Sequence, residues 1–180
     1  MRYFKHLFTL PVFFCCAALC CANQEFAVTS ASFEDSSSIP AKYAMSGGDA
    51  GVSPQLSWEN APAGTQSFVI ACVDIHPIAS DWIHWMVINI PASVNSLPEK
   101  ASLQQMPKGA VELKNSFKTL GYGGPNPPRG SGIHDYIFTV YALNIKELKT
   151  TKSFLSQKEL LALISGNILA QASIAGKYSR

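Results

Sequence analysis

The chain has 180 residues, of which 14 are basic and 12 acidic, giving a formal net charge of +2 with histidine neutral. Its length fits one domain with a substantial core. A charge balance this even argues against a general electrostatic grip on nucleic acid or acidic membranes.

Residues 1–22 read as a secretory signal. Arg2, Lys5 and His6 give a positive start, the 15 residues from Leu7 to Cys21 carry no charge, and Cys20-Cys21-Ala22 supplies small residues at a cleavage site. The uncharged run falls short of the ~20 apolar residues a membrane-spanning helix needs, and no comparable segment follows. The expectation is an exported protein, periplasmic or secreted, whose mature chain begins near Asn23 and forms one domain over 23–180. Acylation at Cys20 or Cys21, as in a lipoprotein, ranks second because neither cysteine has a convincing leucine three positions before it. Cleavage would leave Cys72 as the one cysteine and 12 basic residues against 12 acidic. Cys72 lies in the apolar run Phe68–Val73 and reads as a small buried hydrophobe, not a catalytic thiol.

Four segments read as strands: Phe26 to Phe33, Ser67 to Asp74, Ile83 to Ile90 and Tyr136 to Leu143. Turn-rich stretches such as Ser46–Gly51 and Ala61–Thr65 separate them and favour an antiparallel β domain. The run Phe68–Val73 has no polar face, so it is expected to be covered on both sides, as in stacked sheets. One helix is well signalled: Ser156 and Glu159 form a capping box before Leu160, Leu161, Leu163 and Ile164, and Gly166 stops the pattern. The periodicity of Ile168 to Ile174 is compatible with helix or strand.

All three histidines after residue 22 lie near strand ends or in turn-rich loops. Asp74 closes one strand and His84 opens the next, with His76 between them and Trp82 and Trp85 as candidate walls. On spacing alone, a hairpin with a structural Asp–His hydrogen bond accounts for these residues at least as well as a ligand site. The second segment, Gly121 to Gly132, holds five glycines and three prolines. Such a loop can present backbone amides to an anion, and it runs into His134, Asp135 and Tyr136 at the start of an apolar strand. It lacks a Walker ending, and a strand follows it where a dinucleotide fingerprint needs a helix. No local histidine pair with metal-ligand spacing occurs, so no metal is expected. A Ser-His-Asp triad is not signalled, because no serine stands in a nucleophile elbow.

Three ordered motifs carry a resemblance. Ser53-Pro54-Gln55-Leu56-Ser57-Trp58, the Asp74 to Trp85 segment, and Gly121-Tyr122-Gly123-Gly124-Pro125 with Pro127-Pro128 and His134-x-Tyr136 resemble elements of the phosphatidylethanolamine-binding protein family, in its bacterial Raf-kinase-inhibitor-like branch. The resemblance implies a mainly β, two-sheet antiparallel β-sandwich with a short C-terminal helix and few others. It also implies a pocket for phosphate or phosphorylated headgroups, built from Asp74, His84, His134 and Tyr136 and rimmed by Pro125, Asn126 and Pro127. His76, Trp82, Trp85 and Asp135 are accessory positions. Histidines and a tyrosine hydroxyl can donate hydrogen bonds to phosphate oxygens.

The chain departs from the family at Ile75-His76-Pro77, at Asn126, where a cysteine is common, and at Asp135, where an arginine is usual. The exchange suggests an ion pair between His76 and Asp135. The function expected is an exported binding protein for a phosphate-like or phosphorylated small molecule, with no cofactor and no enzymatic activity. A modulator of an extracellular enzyme, acting through protein contact, is the alternative, and a homodimer is a further option. A hydrolase using Asp74 with His84 or His134 comes third, for want of an activated nucleophile.

Overall fold

The computed structural model of the chain describes residues 24–45 and 50–180. Residues 1–23, with the expected signal segment 1–22, and residues 46–49 of the first turn-rich stretch lie outside the described residues. Two sheets form. The smaller joins β1 (Ala27–Thr29), β3 (Leu56–Glu59) and β6 (Ser96–Leu97) in the order β1-β3-β6. The larger contains β2 (Ser37–Ser38), β4 (Ser67–Asp74), β5 (Trp82–Pro91), β7 (Val111–Glu112), β8 (His134–Leu143) and β9 (Ile168–Tyr178). Its order is β2-β9-β8-β4-β5-β7. The pairs are antiparallel except β2 with β9, which run parallel, so the fully antiparallel expectation needs that correction.

Every residue of β4 is buried, and its two-residue alternation divides the core. Phe68, Ile70 and Cys72 join Val28, Leu56 and Trp58 between the sheets. Val69, Ala71 and Val73 pack on the opposite side against Leu155, Leu160 and Ile164. The large sheet is thus covered on both faces, by a sheet on one and by a helix with its connections on the other. That helix, α1 (Gln157–Ile164), is too short to persist alone. It starts at a capping box, with Ser156 Oγ accepting from the Glu159 amide and the Glu159 carboxylate accepting from the Ser156 amide. Fully buried Leu160 and Ile164 contribute roughly 1.5–3 kcal/mol each.

The remaining differences from the sequence reading have local causes. Strand β1 stops at Thr29 because Ser30, Ala31 and Ser32 turn to hydrogen-bond with Gln55, whose backbone and side chain replace a ladder partner. Residues 168–178 are strand, paired along β8 from Leu143 to His134.

Two irregularities in β5 shape the molecule. Cys72 faces Trp85 while Val73 faces Ile83, so His84 is the extra residue of a β-bulge. Near the other end, Phe68 faces Ile90 and Ile70 faces Val87, and Asn89 takes a positive φ of 61°. The Asn89 side chain accepts from the Leu148 amide at 2.7 Å and donates to the Leu148 carbonyl at 3.3 Å, holding the connection toward α1.

The Gly-rich segment is pinned to Tyr43, Met45 and Ala50. The Tyr122 hydroxyl donates to the Tyr43 carbonyl at 2.9 Å, Gly124 N donates to Ala50 O at 2.7 Å, and Met45 N donates to Pro125 O at 3.0 Å. A Cβ on Gly124 would stand 2.2 Å from the Tyr43 carbonyl oxygen. Backbone must therefore move to admit any side chain there. Gly124→Ala is expected to lower the unfolding free energy by about 1–3 kcal/mol in urea denaturation, and an unchanged midpoint would show that the loop yields freely.

Candidate functional site

Strand ends bring the polar residues together. Asp74, the last residue of β4, lies directly across from Tyr136 on β8 and from Trp82 on β5. His134 and Tyr136 share a face of β8 because they are two residues apart, and the bulge lets His84 and Trp85 both turn toward the inter-sheet side. The intervening Asp135 faces the opposite side of the sheet, where its carboxylate accepts from Lys177 Nζ, its cross-strand neighbour, at 2.9 Å.

Asp74 is 3% exposed and both its oxygens are engaged. Oδ1 accepts from the His76 amide at 2.9 Å, and Oδ2 lies 2.7 Å from His134 Nδ1. With Asp74 ionised, the proton between them sits on His134 Nδ1, which donates to the carboxylate. His134 Nε2 is 2.9 Å from Ser131 Oγ, and Ser131 Oγ is 2.7 Å from the Pro128 carbonyl. The His76 ring stacks on the His134 ring with centroids 3.9 Å apart. Removing Asp74 would strand one buried donor, His134 Nδ1, and one half-buried donor, the His76 amide.

His84 is held differently. Its Nδ1–H donates to Gly123 O at 2.6 Å, and Gly123 N donates to His84 O at 2.8 Å. Nε2 has no hydrogen-bond partner among the described residues, and the ring lines the cavity described below. Burial pulls the His84 pKa below the ordinary histidine value, while the Gly123 carbonyl and the Asp74 charge oppose that shift. Tyr136 packs its ring edge-to-face on His84 at 5.0 Å and nearly parallel to His134 at 6.4 Å. Its hydroxyl is buried with no hydrogen-bond partner among the described residues. Burial pushes the Tyr136 phenol strongly upward and the Asp74 carboxylate adds to the effect, so the hydroxyl keeps its proton.

Three of these residues reach a cavity of about 210 Å³, whereas Tyr136, expected in the pocket, lies behind its lining. Asp74, His84 and His134 form its polar floor, Asn126, Pro127 and Pro128 its rim, and Ile78, Ala79, Trp82 and Phe117 its apolar walls. A wider groove of about 960 Å³ between β5, β7 and α1 carries the exposed Lys152–Glu159 pair, but no buried polar groups converge there.

Several expectations change. Trp85 is not a wall: it is fully buried in the inter-sheet core with Nε1 donating to Glu112 Oε1 at 2.7 Å. Pro125 lies behind the rim, bonded through its carbonyl to Met45. The His76–Asp135 ion pair does not form, because strand alternation sends Asp135 to Lys177 while His76 stacks on His134. Nor do the amides of Gly121, Gly123 and Gly124 serve an anion, since they donate to Leu113, His84 and Ala50. Sequence reasoning missed Phe117 and Ser131. Phe117 arrives from a loop whose Ser116 side chain accepts from the Ile83 amide, and it meets both Trp82 and His84 edge-on.

A two-sheet sandwich with a small, polar-floored cavity at the end of its central strands defines a ligand-binding class of protein. A family model described as phosphatidylethanolamine-binding protein matches residues 29–179, and the chain belongs to that family. It is 39% identical over 153 residues to a UPF0098 protein of Aquifex aeolicus, covering 85% of this chain and 88% of that one. It is 36% identical to the UPF0098 protein YbhB of Escherichia coli, covering 81% and 94%. The crystal structure of E. coli YbcL, described as a member of the mammalian PEBP family, superposes with a TM-score of 0.80 at 34% identity, covering 87% of this chain and 99% of that one. A PEBP homologue from Chlamydia trachomatis, CT736, gives 0.72 at 32% identity, covering 87% and 98%.

The state of His84 yields a pH test. Its pKa is lower folded than unfolded, so the unfolded chain binds more protons between the two values and stability rises with pH across that window. The contribution of neutral His84 is complete above the ordinary value of about 6.5 and is lost as pH falls toward the folded value. The stability difference between wild type and His84→Gln, read from urea midpoints, should therefore shrink between about pH 7 and about pH 5. An equal difference at both would contradict the assignment.

Proposed function

We propose that residues 1–22 export the chain and that residues 23–180 form a binding protein whose pocket holds a small anion, phosphate-bearing or similar, between His84 and His134. The observation that carries this reading is His84, whose ring lines the cavity with Nδ1 bound to the Gly123 carbonyl and Nε2 without a hydrogen bond among the described residues. Tyr136 packs edge-on behind that ring, outside the cavity lining. Membership in a family described by phosphatidylethanolamine binding supports a phosphate-like group as ligand.

The proton balance sets which anions bind. A neutral His84 that donates through Nδ1 presents Nε2 as an acceptor. An anion that brings its own proton suits it. A fully ionised anion requires His84 to become protonated.

The array Asp74–His134–Ser131 favours a second reading, acyl transfer, since each neighbouring pair lies within hydrogen-bond distance. Binding is the better account. Ser131 Oγ also lies within reach of Pro128 O, a competing acceptor for its proton, and Ser131 does not line the cavity.

Calorimetric titration of the mature protein tests the binding reading. Inorganic phosphate is expected to bind at about millimolar affinity or better, and His84→Ala to weaken it about tenfold. Sulfate should bind more weakly than phosphate near neutral pH and gain on it as pH falls to about 5. No heat with either anion, or unchanged affinity in His84→Ala, would overturn the reading. For export, N-terminal sequencing of protein recovered outside the cytoplasm of the producing cell should begin near Asn23, whereas an intact Met1 would overturn it.

A further inference from the structure

We infer that β9 is a docking edge for a second copy of this chain: the two copies pair their β9 strands antiparallel about a twofold axis at Gln171. The inference stands apart from the anion-binding reading and concerns the end of the sheet remote from the pocket. It starts from the direction of backbone groups. Ala175 turns away from β8, since its N–H donates to Asp35 Oδ1 at 2.8 Å and its carbonyl accepts from Ser36 N at 2.7 Å. Alternation along a strand points the N–H and C=O groups of Ser173 and Gln171 the same way. Nothing among the described residues meets them, because β2 pairs with β9 only at Gly176 and Lys177.

The open stretch carries none of the usual guards. Residues 168–174 read Ile-Leu-Ala-Gln-Ala-Ser-Ile, with no charge, proline or glycine to discourage pairing. Leu169, Gln171 and Ser173 are exposed. The other sheet edges among the described residues are short or covered. β7 is two residues long, and just past it Lys114 N donates to Ser153 O. β1 has three residues and β6 two. An edge this long and neutral calls for a partner that offers an edge of the same kind.

The sequence fits itself in reverse. A copy centred on Gln171 sets Gln171 opposite the partner's Gln171, Ala170 opposite the partner's Ala172 and Leu169 opposite the partner's Ser173. No like charges and no two bulky groups meet. Gln171 then exchanges two N–H···O bonds with its counterpart, and the facing side-chain amides can pair as donor and acceptor. The stretch also ends where this register needs it to. Asp35 and Ser36 close it at Ala175, and the turn at residues 165–167 leads the incoming chain away before that point. Pairing uses up the edge in both copies, so assembly closes at a dimer. His134 lies across from Tyr178, roughly 24 Å along β9 from Gln171, so each pocket stays clear of the axis.

Sedimentation equilibrium of the mature protein from about 5 μM to about 500 μM is expected to show monomer and dimer exchanging, with a Kd of about 10–100 μM for so small an interface. Gln171→Lys and Gln171→Glu each set two like charges across the axis and are expected to weaken the dimer about fivefold or more. An equal mixture of the two variants replaces repulsion by attraction and should dimerise at least as tightly as wild type. A monomer throughout the range, a dimer unmoved by either substitution, a mixture no tighter than the separate variants, or growth beyond the dimer would each overturn the inference.

Discussion

A strand sealed on both faces can place a polar side chain economically only at its end, and β4 is such a strand. From Ser67 to Asp74 every residue is buried, which forces apolar identity along the strand and moves its one charged group to the last position. There Asp74 meets the first residues of β8 and β5, so carboxylate, imidazoles and phenol converge where the two-sided cover runs out. The site is a consequence of how the sheet is packed. Its position needs no separate element.

The arrangement is economical because few of its polar groups are free. Asp74 orders His134 and the loop carrying His76, Gly123 orders His84, and Ser131 joins His134 to the rim. Each of these contacts fixes a ring or loop before a ligand arrives, so binding need not order them anew. What remains uncommitted at the cavity is one ring nitrogen, His84 Nε2, set against apolar walls.

Much of this was legible in the sequence because burial leaves a compositional trace. The runs at β4, β5 and β8 are long and apolar enough to announce strands, the Ser156–Glu159 pair announces α1, and Asp74, His84, His134 and Tyr136 stand out as polar residues at the ends of such runs. The two-residue strands β2, β6 and β7 leave no period to detect. Residues 168–174 mix small and apolar side chains that satisfy helical and extended patterns alike, and only pairing with β8 decides between them. Trp85 was misplaced because a bulge is not written in hydropathy: one extra residue turned it into the core beside a histidine that faces the ligand cavity. Phe117 and Ser131 reach the site through long-range and loop contacts that no local spacing encodes.

Cys72, the lone cysteine of residues 23–180, sits opposite Trp85 in the inter-sheet core with its thiol pKa pushed well up by burial. A thiol so placed is shielded from reagents until β4 and β5 separate or the smaller sheet lifts away. Its rate of alkylation therefore clocks the opening of the sandwich itself, and the protein carries its own reporter of breathing motions in the inter-sheet core beside the bulge.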